Sequence, residues 1–223
     1  MLAYLSEIFL SALILSSLQL DLGGFLVLYH STKAKFFSRK TRALATSYIL
    51  GSLTMFFLLL SVGLFLYTFI PPLYLIIALV VVALAAWLLY YRKGRSTELW
   101  LPRPISRFLH ARAEATSSSI EAFSLGLLTP LAELPFVLLP SLVAAQALLS
   151  LDNNLLVLGF TLLYLFIAIL PLLVCRLFLR LGSSLVDVQR WRVRNRLFFR
   201  IFAGVLYLVL AFFLCCFVLW GTC

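Results

Sequence analysis

Charge is scarce in this chain. Asp, Glu, Lys and Arg make up 12% of the 223 residues, about half of the roughly 25% usual in a soluble domain. Acid is scarcer than base, with eight carboxylates against eighteen Lys and Arg and a formal net charge of +10. The two histidines, His30 and His110, fall in different loops and have no metal-ligand spacing. The sequence contains no Gly-rich phosphate loop, zinc motif or GxSxG elbow. No nucleophile–base set emerges either, so an enzyme is not expected. A basic soluble domain able to hold nucleic acid is also missing, so the positive charge reads as loop charge facing anionic lipid.

Apolar sequence fills the space that charge leaves. Hydrophobic residues are 64% of the chain. All eighteen basic residues fall in three stretches: Lys33 to Arg42, Arg92 to Arg112 and Arg176 to Arg200. A bilayer crossing takes about 20 apolar residues. Six spans are therefore expected, at about Leu2–Tyr29, Leu44–Phe69, Leu73–Tyr91, Ile120–Leu149, Leu155–Cys175 and Leu197–Trp220. Pro71–Pro72 separates the second from the third, and Asp152–Asn153–Asn154 the fourth from the fifth. Cytoplasmic loops attract Lys and Arg. The basic first, third and fifth loops then lie inside and both termini outside. The first apolar block has no basic leader and contains a polar break, so no cleavable signal peptide is expected.

The expected fold is an all-α integral membrane protein, one transmembrane domain over 1–223, in a prokaryotic cytoplasmic membrane. Six spans divide into halves, 1–91 and 119–223, that begin on opposite sides of the membrane. They would form two inverted three-helix repeats with broken first and fourth helices, a plan common among transporters. The linker, 92–118, carries Ile105, Phe108 and Leu109 on one helical face with Arg103, Arg107 and Arg112 on the others. A short helix on the cytoplasmic surface follows. Ser118 and Glu121 have the spacing of a capping box that opens the fourth span. Trp191, among Arg190, Arg192, Arg194 and Arg196, reads as an interfacial anchor.

Two carboxylates fall deep inside apolar blocks. At about 1.5 Å per residue, Asp21 lies roughly 20 Å below the outer surface, and Glu133 roughly 20 Å above the inner one. Both sit near the midplane of a core about 30 Å thick. An acid there costs roughly 2.5–3.5 kcal/mol on the insertion scale, so neither should face lipid. Gly23–Gly24 allows the backbone to leave the helix after Asp21, and Pro130 and Pro135 each remove a helical donor around Glu133. Freed carbonyls, the two acids, Gln19 and Thr129 would make an oxygen-rich site suited to a cation. The alternative is a carboxylate bonded to a neighbouring hydroxyl or amide, with Gly and Pro only kinking packed helices.

Ala43, Ser47 and Gly51 recur every four residues and suggest a close-packing face. The cysteines lie away from both breaks. Adjacent Cys215 and Cys216 point in different directions on a helix, which argues against a disulfide between them.

Gly126-Leu127-Leu128-Thr129-Pro130-Leu131-Ala132-Glu133-Leu134-Pro135 resembles the Pro-bracketed motif of the CcdA/DsbD transmembrane electron carriers. Ser16-Ser17-Leu18-Gln19-Leu20-Asp21 is similar to the Ser/Thr-x-x-Asp segment of metal exporters in the wider lysine-exporter (LysE) superfamily. The resemblance implies six spans in inverted repeats with sites at the starts of spans one and four. CcdA-type carriers place a redox cysteine in each of those spans. Here Asp21 and Glu133 occupy those regions, so the redox activity should not carry over.

The expected function is a secondary transporter or exporter of a cation, a divalent metal or a cationic organic solute. Access would alternate around Asp21 and Glu133, the candidate metal ligands, with Gln19 and Thr129 beside them. Gly23, Gly24, Pro130 and Pro135 would act as hinges. No redox cofactor is expected. The partners are the lipid bilayer and the transported solute, and a homo-oligomer is compatible with the sequence. The second reading is a non-transporting membrane module that handles lipid or scaffolds a partner complex. The third is a CcdA-like electron carrier.

Overall fold

A computed structural model describes residues 2–19, 39–91, 103–151, 153–180 and 185–220, and every element in them is helical. Asp21, Gly23 and Gly24 lie outside the described residues, as do the first part of the linker and the side chains around Trp191. The elements are α1 (Leu2–Gln19), α2 (Arg39–Leu66), α3 (Pro72–Tyr91), α4 (Arg103–Ala115), α5 (Ser119–Ala132), α6 (Leu134–Leu149), α7 (Asn154–Arg180) and α8 (Leu185–Trp220).

The boundaries follow from local chemistry. α2 tightens into a 3-10 turn, Tyr67–Phe69, and stops at Ile70, which is extended at φ −109°, ψ 110°. A residue before proline is driven to that region by the ring behind it. Pro72 then opens α3, where a missing N–H costs nothing. α5 starts with the expected capping box: Ser118 Oγ accepts from the Glu121 N–H at 3.3 Å, and Glu121 Oε2 accepts from the Ser118 N–H at 3.1 Å. Before α7, Asn153 Oδ1 accepts from the Leu155 N–H at 2.9 Å.

Among the described residues, Arg42–Phe69 and Asn154–Leu177 are long and apolar enough to cross a membrane. α5 and α6 together form a third candidate, bent by 82°. Tyr4–Gln19, Leu73–Ala85 and Gly204–Cys216 are shorter apolar stretches. Polarity is arranged inside out. Phe57, Phe65, Val81, Leu158, Leu162 and Phe212 are exposed, while Glu7, Gln19, Ser52, Glu133, Ser141 and Gln146 are buried. Soluble monomers rarely leave so much contiguous apolar surface to water.

α2 packs along α5 and then α6, and also touches α7; α1 packs on α6, α7 and α8. α3 packs on α8 and touches α6, and α4 rests against α5. The α2–α5 crossing is very close. A methyl group at Gly51 would collide with the Phe123 carbonyl oxygen, and one at Gly126 with the Tyr48 carbonyl oxygen. The close-packing face is thus Tyr48, Gly51 and Ser52. Ala43 of the expected face is exposed, and Ser47 is only half-buried. On α4, Leu109 and Ala113 join the core, while Ile105 and Phe108 stay exposed.

Candidate functional site

The α5–α6 break is built around Glu133. Its backbone sits at φ −97°, ψ 19°, between the two helices. Pro135 occupies the first turn of α6, where a missing donor is tolerated. The Glu133 carbonyl accepts from the N–H groups of Phe136 at 2.9 Å and Val137 at 3.1 Å, so the residue caps α6 with its own backbone. Its side chain is 3% exposed. The expected helix break and the expected burial of this acid therefore coincide at one residue.

Each interior proline deprives the carbonyl four residues earlier of its helical donor. Pro130 does so to Gly126, and there Ser52 Oγ of α2 donates to the Gly126 oxygen at 3.2 Å. Pro140 does so to Phe136, and there the Tyr207 hydroxyl of α8 donates to the Phe136 oxygen. Both of these carbonyls thus accept from hydroxyls of other helices; of the two that Pro130 and Pro135 are expected to free, the Gly126 oxygen is the one bonded to Ser52. Pairing satisfies a buried carbonyl whose orphaning costs about 1–3 kcal/mol.

Thr129 is engaged in the same way. Its hydroxyl donates to the Leu125 oxygen at 2.9 Å and accepts from the Tyr48 hydroxyl at 3.1 Å. About two turns into α6, Ser141 and the Tyr164 hydroxyl share a hydrogen bond of 3.0 Å. Tyr207 also lies near Glu133 and Tyr164. The buried centre is therefore one carboxylate, three tyrosines and the small hydroxyls that tie them to α5 and α6.

The structure brings Thr129, Pro130, Glu133 and Pro135 to this one bend. Gln19 is buried at the end of α1, the helix that packs on α6. Asp21 and the Gly23–Gly24 hinge lie outside the described residues. Among the described residues, no three His, Cys, Asp or Glu side chains gather as a metal-holding group. Cys175, Cys215 and Cys216 are free thiols. Sequence reasoning missed Tyr48, Ser52, Pro140, Tyr164 and Tyr207. Pro140 was the available signal, because any interior proline needs a hydroxyl or water for its freed carbonyl. No family model, curated protein or solved structure matches this chain.

Proposed function

We propose that the chain is a six-span membrane transporter of the lysine-exporter type, moving a cation through a centre that contains Glu133. The observation carrying this reading is a carboxylate 3% exposed at an 82° helix break, inside a bundle with an apolar exterior. An acid so placed costs too much to keep without a role in binding or proton transfer. A break of this kind is also where transporters put their sites.

The helix pairings support inverted repeats. Exchanging the halves maps α1 onto α5–α6, α2 onto α7 and α3 onto α8. Under that exchange α2 on α5–α6 becomes α7 on α1, and α1 on α8 becomes α5–α6 on α3; each of these pairings occurs. The contacts of α3 with α8, α2 with α7 and α1 with α6 map onto themselves. Asp21 follows α1 by two residues, and α1 packs on α6, which supports a site shared by both halves.

One observation favours the second reading, a non-transporting module. Ser52 and Tyr207 clamp the carbonyls that the prolines free, which holds the break in a fixed shape. The two readings separate in proteoliposomes loaded in turn with divalent metals and organic cations. Transport predicts cation-dependent flux by the wild type that Glu133→Gln abolishes while still folding. A wild type silent toward every cation, or flux untouched by Glu133→Gln, would leave the scaffold reading.

A further inference from the structure

A second set of buried polar atoms lies at the far end of α1 and α6 from the Glu133 break. Glu7 is 1% exposed, Ser11 is fully enclosed and Gln146 is 7% exposed. Glu7 Oε2, Ser11 Oγ and Gln146 Oε1 each lack a hydrogen-bond partner. Among the described residues Glu7 makes no ion pair. Native structures rarely leave such atoms orphaned without an ion or water.

Ser11 departs from the habit of its neighbours. Ser17, Thr54, Ser61, Ser141 and Ser150 each donate back to a carbonyl of their own helix. Ser11 does not, although the Glu7 carbonyl lies one turn behind it. Glu7 and Ser11 are four residues apart and so share one face of α1. Glu7 lies near Tyr67, in the 3-10 turn that also meets α6. One turn before Tyr67, Gly63 crosses α6 at Ser141 and Ala145. Glu7, Tyr67 and Gln146 therefore occupy the same end of the bundle.

The donor set defines the ligand. A carboxylate oxygen, an amide carbonyl and a hydroxyl are hard oxygens, which suit s-block cations. One carboxylate supplies one negative charge. A monovalent ion neutralises it, whereas a divalent ion would leave a net charge buried in an apolar interior, at high cost. We propose that Glu7, Ser11 and Gln146 form a monovalent-cation site of sodium type at the outer ends of α1 and α6. Tyr4 and Tyr67 lie beside it. At about 1.5 Å per residue, Glu7 to Gln19 spans ~18 Å and Gln146 to Glu133 ~20 Å. The site thus stands above the Glu133 centre along one helix pair. A role as coupling ion rests on the transport reading; the existence of the site does not.

The test is binding, not flux. Thermal unfolding of the purified full chain is followed while sodium chloride replaces choline chloride at constant ionic strength. Sodium should raise the melting temperature of the wild type, as a ligand of the folded state must. Removing one ligand oxygen, in Glu7→Gln or Gln146→Leu, should weaken the sodium response about ten-fold or more. Glu133→Gln should keep it, so failure of the central site cannot imitate failure of this one. If Glu7→Gln does not fold, Ser11→Ala and Gln146→Leu carry the test. Equal stability in sodium and choline would overturn the proposal, as would an unchanged response in the variants. Dependence on pH without dependence on sodium would also overturn it, assigning Glu7 a proton and nothing more.

Discussion

Proline chemistry organises the centre of this protein residue by residue. Pro130 and Pro140 each strip one carbonyl of its donor, and Ser52 and Tyr207 supply replacements from α2 and α8. The arrangement can be tested by restoring the original donor. Tyr207→Phe should lower stability by about 1–3 kcal/mol, since it leaves the buried Phe136 oxygen unpaired. Pro140→Ala returns a backbone N–H to that oxygen. In the Pro140→Ala background the cost of Tyr207→Phe should shrink markedly. A double-mutant cycle on thermal unfolding in micelles reads this coupling. Strict additivity would show that Tyr207 stabilises through packing alone. Tyr207 also lies near Glu133. In the transport reading, this tyrosine would link protonation or cation binding at Glu133 to the anchoring of α8.

At the scale of elements, the α2–α5 crossing is the most constrained contact. Gly51 and Gly126 let the two backbones meet where any methyl group would collide with a carbonyl. Gly126→Ala should therefore destabilise by about 2 kcal/mol or more, in the manner of overpacking. A methyl group added at Gly159 or Gly204 would meet nothing within 4 Å, so alanine there should be neutral or stabilise by about 0.5–1 kcal/mol through helix propensity. Thermal unfolding of the four alanine variants checks the contrast, and equal losses at all four would refute a special role for the crossing. Much of the element pattern was legible in sequence. Pro71–Pro72, Asp152–Asn153 and the Ser118–Glu121 box mark boundaries through local rules that packing does not override. Glu133 was legible as a buried acid because a charge inside an apolar block has few other places to go. Which helix faces meet was not legible. These helices are apolar nearly all round, so periodicity does not distinguish a packed face from an outward one. Hence four-residue spacing groups Ala43 with Gly51, although Ala43 is exposed.

For the whole molecule, the outward apolar surface and the three basic stretches must be reconciled with one orientation. Two described helices are long and apolar enough to cross a membrane, three with the bent pair. Of the other apolar helices, α1 packs on α6 and α7, α3 touches α6, and α8 packs on α3 and α1. If all six cross, the loops alternate sides. Every Lys and Arg then falls on one side, and the connections through Pro71–Pro72 and Asn153 fall on the other, free of positive charge. Positive charge is retained on the cytoplasmic face, which in that case would orient the chain with both termini outside. Five spans, with α2 or α3 folded back, would place the first and second basic stretches on opposite faces. Accessibility tagging distinguishes these arrangements. In a background with all four cysteines replaced by alanine, Asn153→Cys should react with an impermeant thiol reagent in intact cells. Lys40→Cys and Arg112→Cys should react only after permeabilisation. The background itself should fold, because Cys175, Cys215 and Cys216 are free and form no bridge. Labelling of Lys40→Cys from outside would invert the molecule, and opposite behaviour of Lys40→Cys and Arg112→Cys would remove one crossing between them. The first result would only reverse the orientation; the second would break the alternation on which the inverted repeats depend, and with it the placement of Glu133 at the centre of a two-sided pathway.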